Sequence, residues 1–358
     1  YDYMRRDFEL YQDIEFEYVI LDEAQYIKNQ KTKNAQSVKT LKTRHKLALT
    51  GTPIENSLAE LWSIFDFLMP QYLFNYHYFQ KQYESSIVKN NDEEKTKQLK
   101  KLVTPFILRR NKKEVLKELP DKIEQNMILP FSDEEEKIYV ANLAKVNEEL
   151  QQLYDIEGSD KMQILKMLTR LRQLCLEPRL VYDNIDQPSS KLKACMELIK
   201  TMQENKQKVL LFSSFTSALD LIAEECQKAG ITYYMLTGST NKEERRELVS
   251  RFQKDDTTLF LISLKAGGTG LNLTSAENVI HYDPWWNVSA QNQATDRAYR
   301  IGQKSNVQVF NLVMKDSVEE KIIEMQKRKK ELADMFVENN SGGLSQMSKE
   351  DILSLFTM

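Results

Sequence analysis

Two adjacent carboxylates, Asp22 and Glu23, follow a short β-rich run in this 358-residue sequence. The run comprises Tyr18 to Leu21 of EFEYVILDEAQ and predicts a buried parallel strand. In open α/β sheets, ligands bind at the carboxyl ends of the strands. A carboxylate there can hold Mg²⁺ while its neighbour orients or deprotonates a water that attacks a γ-phosphate. The alternative is the start of a helix, where acidic residues cap backbone amides.

A pair of arginines, Arg297 and Arg300, lies in the segment QATDRAYRIGQ. Residues three apart share one face of a helix, so the spacing predicts two guanidinium groups side by side. Because these like charges repel each other, the arrangement suits either a solvent-exposed face or an anion such as a triphosphate, which arginine binds bidentately. Spacing alone leaves both alternatives open.

Glycine is scarce, with 10 in 358 residues, yet three glycines fall within SLKAGGTGLNLT, at positions 267, 268 and 270. Glycine adopts positive φ and lets backbone amides approach a phosphate or a nucleic-acid backbone closely. A plain strand-to-helix turn is the alternative for this cluster. No Gly-Lys dipeptide occurs in the sequence, so the phosphate-binding pattern GxxxxGK[ST] is absent from it. The sequence therefore predicts no autonomous P-loop enzyme.

Two further segments carry residues suited to nucleic acid or to a partner surface. The stretch FILRRNKKEVLKELPDK begins with Arg109 and Arg110 and is basic in its first half, which suits a phosphate backbone. The stretch DPWWNVSAQ places Trp285 beside Trp286, and large amphipathic aromatics are enriched at interfaces. A solvated helix face and burial of both rings are the structural alternatives.

Composition excludes several classes of protein. The sequence has 50 Lys and Arg against 53 Asp and Glu, a net charge of −3, so any nucleic-acid surface must be a local patch. Its 3 cysteines and 3 histidines have no zinc-site spacing and form no disulfide framework, which favours a reducing cytosol. No apolar run approaches the roughly 18 residues of a membrane span, and the first residues have no signal-peptide core. We therefore expect no membrane partner.

The elements that must position these residues form an α/β pattern. Two β-rich runs with a helix between them predict part of a doubly wound sheet, and a complete α/β lobe is predicted after the boundary QPSSK. The strands predicted for that lobe are 208–213, 232–236, 258–263, 278–282 and 306–313. We expect four domains: a partial lobe at 1–56, a mostly helical insertion and linker at 57–188, a complete lobe with its brace helix at 189–336, and a tail at 337–358.

The order of the motifs resembles the helicase-like ATPases of the SWI/SNF family. The motifs are LDEAQYIKN, LTGTPIENSLAELW, FILRRNKKEVLKELPDK, FSSF, AGGTG and QATDRAYRIGQ, and the resemblance runs from Tyr1 to Met358. It implies RecA-like doubly wound parallel sheets, one lobe partial and one complete, with a helical insertion. It also implies ATP hydrolysis with Mg²⁺ and translocation on double-stranded DNA, with DNA-bound proteins as further partners. The implied location is the cytoplasm or nucleoid, or the nucleus in a eukaryote.

The resemblance also implies a role for each motif residue. Asp22 would hold Mg²⁺, and Glu23 would be the catalytic base for water. Arg297 and Arg300 would be arginine fingers that reach ATP across a cleft between the lobes. The ATP-binding positions would be Gln293, Asp296, Gly268 and Gly270. The residues for coupling or nucleic-acid contact would be Thr50, Gly51, Thr52, Arg109, Arg110, Lys265, Gly267 and Trp286.

The sequence departs from the family pattern at three places. Ser214 stands where Gln is common, and Val288 replaces the usual Pro of DPWWNP. The Walker A lysine would precede Tyr1, so the sequence is expected to be a fragment that hydrolyses little or no ATP by itself. The alternative to a motor is a non-enzymatic DNA-binding or protein-interaction platform.

Overall fold

The computed structural model describes residues 1–51, 57–90, 92–108, 110, 115–116, 118–154, 161–267 and 271–337. The chain divides into two units, one formed mainly by residues 1–110 and the other by residues 111–326. Within the described ranges, no helix is both long enough and apolar enough to cross a membrane.

The first unit contains a two-stranded parallel sheet. Its elements are α1 (Asp2–Arg6), α2 (Phe8–Tyr11), β1 (Phe16–Leu21), a 3₁₀ turn (Ala24–Ile27), α3 (Lys33–Lys39) and β2 (Thr43–Ala48). Helix α3 begins where the side chain of Thr32 accepts a hydrogen bond from the amide of Ala35 at 3.2 Å, which satisfies one of the free donors at a helix start. The predicted strand–helix–strand order is present.

Strand β1 is less buried than its sequence predicts. Side chains alternate between the two faces of a strand, and Val19 and Leu21 pack with the cluster that includes Ile27. On the other face, Tyr18 is 61% exposed and Ile20 is 56% exposed. The prediction of a buried strand is wrong because the described residues cover only one face of this two-stranded sheet.

The rest of the first unit is helical. Its helices are α4 (Leu58–Leu68), α5 (Tyr76–Phe79), α6 (Ser85–Asn90) and α7 (Glu93–Val103), with a π-helical turn at Gln80–Glu84 and a 3₁₀ turn at Thr104–Phe106. They share a core in which Leu61 and Phe65 of α4 and Leu99 of α7 are buried. This aromatic-rich cluster gives the helices a hydrophobic core of their own.

The second unit is built on a six-stranded parallel sheet with the strand order β3-β8-β7-β4-β6-β5. The strands are β3 (Lys122–Leu129), β4 (Val209–Ser213), β5 (Tyr233–Leu236), β6 (Leu259–Ser263), β7 (Asn278–His281) and β8 (Val307–Met314). The five predicted strands are present. Strand β3 was not predicted, because its sequence KIEQNMIL lies in a stretch expected to be mostly helical. It forms at the sheet edge by pairing with β8 over its whole length.

Helices cover both faces of this sheet. They are α8 (Asp133–Tyr154), α9 (Lys161–Leu176), α10 (Ser190–Glu204), α11 (Thr216–Lys228), α12 (Lys242–Lys254), α13 (Leu264–Gly267), α14 (Val288–Thr295) and α15 (Val318–Val337). In β4, Leu211 faces the cluster that contains α10 and α11, while Leu210 and Phe212 face the cluster that contains Phe252 of α12. A parallel sheet with a hydrophobic core on each face confirms the predicted α/β, doubly wound fold class.

A buried ion pair connects the start of α10 to the start of α15. Lys191 Nζ lies 2.6 and 2.7 Å from the two carboxylate oxygens of Glu319, and both side chains are almost completely buried. The same ammonium donates to the carbonyl of Tyr282 at 3.0 Å, and the carboxylate accepts from the amide of Met314 at 2.8 Å. Burial raises the pKa of Glu319, while Lys191 lowers it, so this carboxylate depends on its partner to remain charged.

We predict that Lys191→Met destabilises the protein by about 3–5 kcal/mol, because it leaves the Glu319 carboxyl buried without its cation. Lys193→Met is the matched control, since Lys193 is exposed on the same helix, and we expect it to change the free energy of unfolding by less than about 0.5 kcal/mol. Urea unfolding monitored by circular dichroism measures both. Equal midpoints for the two variants would contradict the prediction.

Candidate functional site

The acidic pair lies at the carboxyl end of β1, as predicted. Asp22 is exposed, and its Oδ1 accepts a hydrogen bond from the amide of Glu23 at 3.0 Å. Glu23 has left-handed backbone angles, φ 51° and ψ 56°, a conformation that costs a residue with a Cβ about 1–2 kcal/mol. Glu23 precedes a 3₁₀ turn, but its side chain makes no capping hydrogen bond. The helix-start alternative therefore accounts for its position and not for its side chain.

Tyr1 supports the backbone of the acidic pair. Its hydroxyl donates to the carbonyl of Asp22 at 2.8 Å. Burial, together with the carboxylates of Asp22 and Glu23, raises the pKa of Tyr1 to about 12, so the phenol stays protonated and can donate. The main chain at the pair is thus held by a side chain from the start of the sequence.

A chain of side-chain hydrogen bonds connects the acidic pair to the end of β2. Gln25 Nε2 donates to Glu23 Oε2 at 2.7 Å, and Thr50 Oγ1 donates to Gln25 Oε1 at 2.9 Å. Gln25 reaches both because an amide has a donor and an acceptor on one group. Gln25 was not predicted from the sequence as a site residue. The available signal was an amide side chain two residues after a carboxylate.

The other site positions predicted for the first unit are exposed where the structure describes them. Gly51 is exposed, and a Cβ added to it would meet nothing within 4 Å. Arg110 is exposed. Thr52 and Arg109 lie outside the described residues, as do Gly268 and Gly270 in the second unit.

The donor set at β1 fits the binding of Mg²⁺ with a phosphate ligand. Among the described residues, no group of three or more His, Cys, Asp or Glu side chains could enclose a metal ion. Mg²⁺ needs no such cage, since it is usually held by one or two carboxylates, waters and substrate phosphates. The exposed carboxylate of Asp22 supplies an oxygen of that kind.

The two arginines do not share a helix face as the sequence predicts. Helix α14 ends before Asp296, whose amide donates to the carbonyl of Asn292, and both Arg297 and Arg300 lie in the turn that follows. In that turn the carbonyl of Arg297 accepts a hydrogen bond from the amide of Leu273 at 2.9 Å. Arg300 is exposed, with Nη1 donating to the carbonyl of Leu271 at 3.2 Å. Gln293 is half-buried on α14.

Gly267 is needed for packing rather than for an unusual backbone angle. A Cβ at this position would lie 2.9 Å from Cε1 of Phe212 and 3.4 Å from Ile262. Positive φ among the described glycines occurs at Gly230 and Gly302, so Gly267 does not use the positive φ that glycine permits. The neighbouring Lys265 is exposed. The close approach of the loop to β4 explains this glycine.

The adjacent tryptophans pack into different hydrophobic clusters. Trp285 lies against the cluster that contains Phe212, and Trp286 lies against the cluster of α8 and α9. Both rings are half-buried. The amide of Trp285 donates to Gln291 Oε1 at 3.3 Å, so the strand-to-helix loop is fixed by its backbone as well as by its rings.

A neutral histidine lies under this loop. His281 is 1% exposed, and its Nε2 is 2.8 Å from Thr295 Oγ1 on α14. Burial lowers the pKa of His281 to about 4, although the carboxylates of Glu124 and Asp283 act in the opposite direction. The imidazole is therefore uncharged in the folded protein at neutral pH.

The fold and these sites define the class of helicase-like α/β proteins: parallel sheets, an acidic pair after one strand, and arginines after a helix of the other unit. The family model described as SNF2-related domain matches residues 1–180, and that described as Helicase conserved C-terminal domain matches residues 190–302. The chain belongs to the SNF2 family. The family resemblance of the motifs is thereby confirmed.

Curated relatives are consistent with this membership. The chain is 39% identical over 349 residues to the putative ATP-dependent helicase/translocase YwqA of Bacillus subtilis. The aligned residues cover 95% of this chain and 37% of the relative. It is 37% identical over 357 residues to an uncharacterized ATP-dependent helicase of Mycoplasma pneumoniae, covering 99% of this chain and 34% of the relative. The chain therefore spans about a third of the length of these relatives.

A solved structure shows the same fold. The SWI2/SNF2 ATPase core of Sulfolobus solfataricus, in complex with dsDNA, is 34% identical with a TM-score of 0.54, covering 99% of this chain and 75% of that chain. This likeness confirms the predicted RecA-like α/β architecture.

We predict that Gly267→Ala destabilises the protein by about 1–3 kcal/mol, because the new methyl group forces the buried Phe212 ring to shift. Gly238→Ala is the matched control. Its Cβ would meet nothing within 4 Å, so we expect it to be neutral or to stabilise by up to about 1 kcal/mol. The midpoint temperature of thermal unfolding is measured for both variants. A midpoint for Gly267→Ala at or above that of Gly238→Ala would refute the packing argument.

We predict that His281 makes stability fall as the pH is lowered from 6.5 toward 4. In that window the unfolded histidine binds a proton and the buried one does not, so unfolding is favoured by up to about 3 kcal/mol at the acidic end. In His281→Asn the fall in unfolding midpoint between pH 7 and pH 4.5 should be smaller. An equally steep fall in both proteins would show that His281 is not the group responsible.

Proposed function

We propose that this chain forms part of an ATP-driven motor that moves along double-stranded DNA. Membership of the SNF2 family supports the use of ATP, and the dsDNA complex of the Sulfolobus relative supports DNA as the track. The observation that carries the proposal is the hydrogen-bond chain from Glu23 through Gln25 to Thr50. It gives a carboxylate suited to ATP hydrolysis a direct physical connection to the segment that follows β2.

The acidic pair divides two tasks. Asp22 would hold Mg²⁺, which neutralises charge on the triphosphate oxygens when it is bound. Glu23 orients and deprotonates the attacking water, and its left-handed backbone and the hydrogen bond from Gln25 fix its direction. Strained backbone of this kind concentrates at functional sites because it pre-organises side chains.

Arg297 and Arg300 provide the positive charge for the transferred phosphoryl group. Both lie in the turn after α14, where the amide of Leu273 bonds to the carbonyl of Arg297 and the guanidinium group of Arg300 bonds to the carbonyl of Leu271. Arginine suits this role because it stays charged and binds phosphate oxygens bidentately. Gln293 and Asp296 precede them as the polar start of the same ATP-binding segment.

Movement follows from the connection between the acidic pair and Thr50. When Glu23 shifts with the state of the γ-phosphate, Gln25 must shift with it or lose one of two hydrogen bonds. Thr50 then passes the change to Gly51 and Thr52. We assign DNA contact to five residues, Lys265, Gly267, Arg109, Arg110 and Trp286. The positive charges among them contact the phosphate backbone of DNA and do not read its base sequence.

We further propose that these 358 residues by themselves turn over little or no ATP. The sequence contains no GxxxxGK[ST] segment, whose backbone amides and lysine hold the β- and γ-phosphates. Hydrolysis would then require a longer protein that supplies such a segment. The domain division at 56, 188 and 336 and a cytoplasmic, nucleoid or nuclear location belong to the same proposal.

We predict that Glu23→Gln, in a longer protein that carries this chain together with a P-loop, lowers DNA-stimulated ATP hydrolysis by about 10²–10⁴, the usual value of a general base. ATP binding should persist because the amide keeps the size of the carboxylate. Glu9→Gln is the control, since Glu9 is exposed on α2. Hydrolysis is measured with and without duplex DNA.

The same assay separates the two classes of function. Loss in Glu23→Gln but not in Glu9→Gln supports the motor. An unchanged rate of ATP hydrolysis in Glu23→Gln would show that another group activates the water. Hydrolysis by the wild-type protein that duplex DNA does not stimulate would favour a non-enzymatic platform.

A further inference from the structure

A buried arginine that the proposed function does not use lies beneath two loops of the second unit. Arg172 is on α9 and is 6% exposed. One loop, residues 213–215, connects β4 to α11; the other, residues 283–286, connects β7 to α14. The first is the serine loop, and the second is the tryptophan loop.

Arg172 donates hydrogen bonds to both loops from a single nitrogen. Its Nη2 lies 2.9 Å from Ser214 Oγ in the serine loop and 2.9 Å from Asp283 Oδ2 in the tryptophan loop. The carbonyl of Pro284 is a third acceptor at 3.4 Å. The guanidinium group is therefore the point at which α9 and the two loops meet.

Asp283 joins the loops from the other side of the same cluster. It is 1% exposed and accepts from Ser213 Oγ at 2.7 Å and from the amide of Ser214 at 3.0 Å. The hydroxyl of Ser214 also donates to Asp283. Ser214 stands where Gln is common in the family, and its short side chain lets one hydroxyl contact both charged groups.

Three aromatic rings surround the guanidinium group. Its Cζ lies 4.9 Å from the ring centre of Phe215, 5.3 Å from that of Trp285 and 5.7 Å from that of Trp286. Cations within about 6 Å of an aromatic ring are attracted to it, more strongly when water is excluded. Arg172 therefore holds the rings of both loops as well as their polar groups.

Other residues hold only the tryptophan loop. Gln326 on α15 donates to the carbonyl of Trp285, and Gln291 on α14 accepts from its amide. Neither is bonded to the serine loop by any hydrogen bond described. Asp283 bonds the tryptophan loop directly to the serine loop, and Arg172 bonds both loops to α9.

A core built only for stability would favour an apolar residue here. A buried ion pair often contributes less than a well-packed apolar replacement, and Nε of Arg172 has no hydrogen-bond acceptor among the described residues. In some proteins such groups are retained because they select one geometry. The geometry selected here is that of two loops at the carboxyl end of a parallel sheet, where ligands bind.

We propose that Arg172 is a positioning residue for DNA binding: by bonding to the serine loop and the tryptophan loop together, it holds the tryptophan loop in the arrangement that contacts duplex DNA. The inference rests on the proposed function, which assigns Trp286 to DNA contact. Arg172 is too buried to reach DNA and acts through the loops. Lysine would not reproduce these contacts, because its ammonium lacks the flat guanidinium surface that lies against the three rings.

The test measures binding of the 358-residue chain to a fluorescein-labelled 30-base-pair duplex by fluorescence anisotropy at fixed salt. We expect Arg172→Lys, which keeps the charge, to raise the Kd at least about tenfold, which corresponds to about 1.4 kcal/mol. Arg170→Lys is the matched control: Arg170 is exposed two residues away on α9 and bonds to Asn142 and Tyr182. It should change the Kd less than twofold.

A second readout separates positioning from general stability. Without DNA, acrylamide should quench tryptophan fluorescence more strongly in Arg172→Lys than in Arg170→Lys, because Trp285 and Trp286 lose the group that holds their rings. If Arg172 only stabilised the core, the unfolding midpoint would fall while quenching in the folded protein stayed the same. That pattern, with unchanged Kd, would overturn the inference.

The outcomes for DNA binding are distinct. Tight wild-type binding with equal Kd values for the two arginine variants refutes the role of Arg172 and leaves the motor intact. Wild-type chain that binds no duplex refutes both. If Arg172→Lys does not fold, Ser214→Ala removes the shared hydroxyl without leaving a charge unpaired. We expect it to raise the Kd about threefold, and no change would again refute the inference.

Discussion

Burial of charge is the constraint on which the second unit depends. Two ion pairs, Lys191 with Glu319 and Arg172 with Asp283, converge on the end of β7, because Lys191 also bonds to the carbonyl of Tyr282. An isolated buried charge costs several kcal/mol, so each partner must stay where it is while the protein is folded. Helices α9, α10 and α15 are thereby fixed to one strand end.

The buried ion pairs restrict movement of the tryptophan loop, the candidate DNA contact, where it begins at the end of β7. Asp283 begins the tryptophan loop directly after Tyr282, so any movement of the loop must preserve or break ion pairs inside the core. The neutral imidazole of His281 adds a polar contact to α14 at the same level. The loop that we propose contacts DNA is thus attached to the part of the unit where rearrangement costs most.

Around the acidic pair, the first unit uses hydrogen bonds and backbone conformation rather than a buried ion pair. Asp22 is exposed, Glu23 has a left-handed conformation, and Gln25 and Thr50 complete a chain of short contacts. Such contacts rearrange at lower cost than a buried ion pair because water can replace them. Support of this kind suits the role proposed for Glu23, which is to respond to the state of the γ-phosphate.

The sequence alone determined the α/β class, the family and the order of the motifs, because β-rich runs such as VLLFS and segments such as LDEAQ are local patterns. Only the tertiary structure decided the features that depend on distant partners. Strand β3 exists because it pairs with β8, and the turn that carries Arg297 and Arg300 is bonded to Leu273 through the carbonyl of Arg297. Gly267 is required by the ring of Phe212, and Arg172 meets its partners more than 40 positions away. Periodicity and spacing report what neighbours in sequence do, whereas these features are set by residues that only the fold brings together.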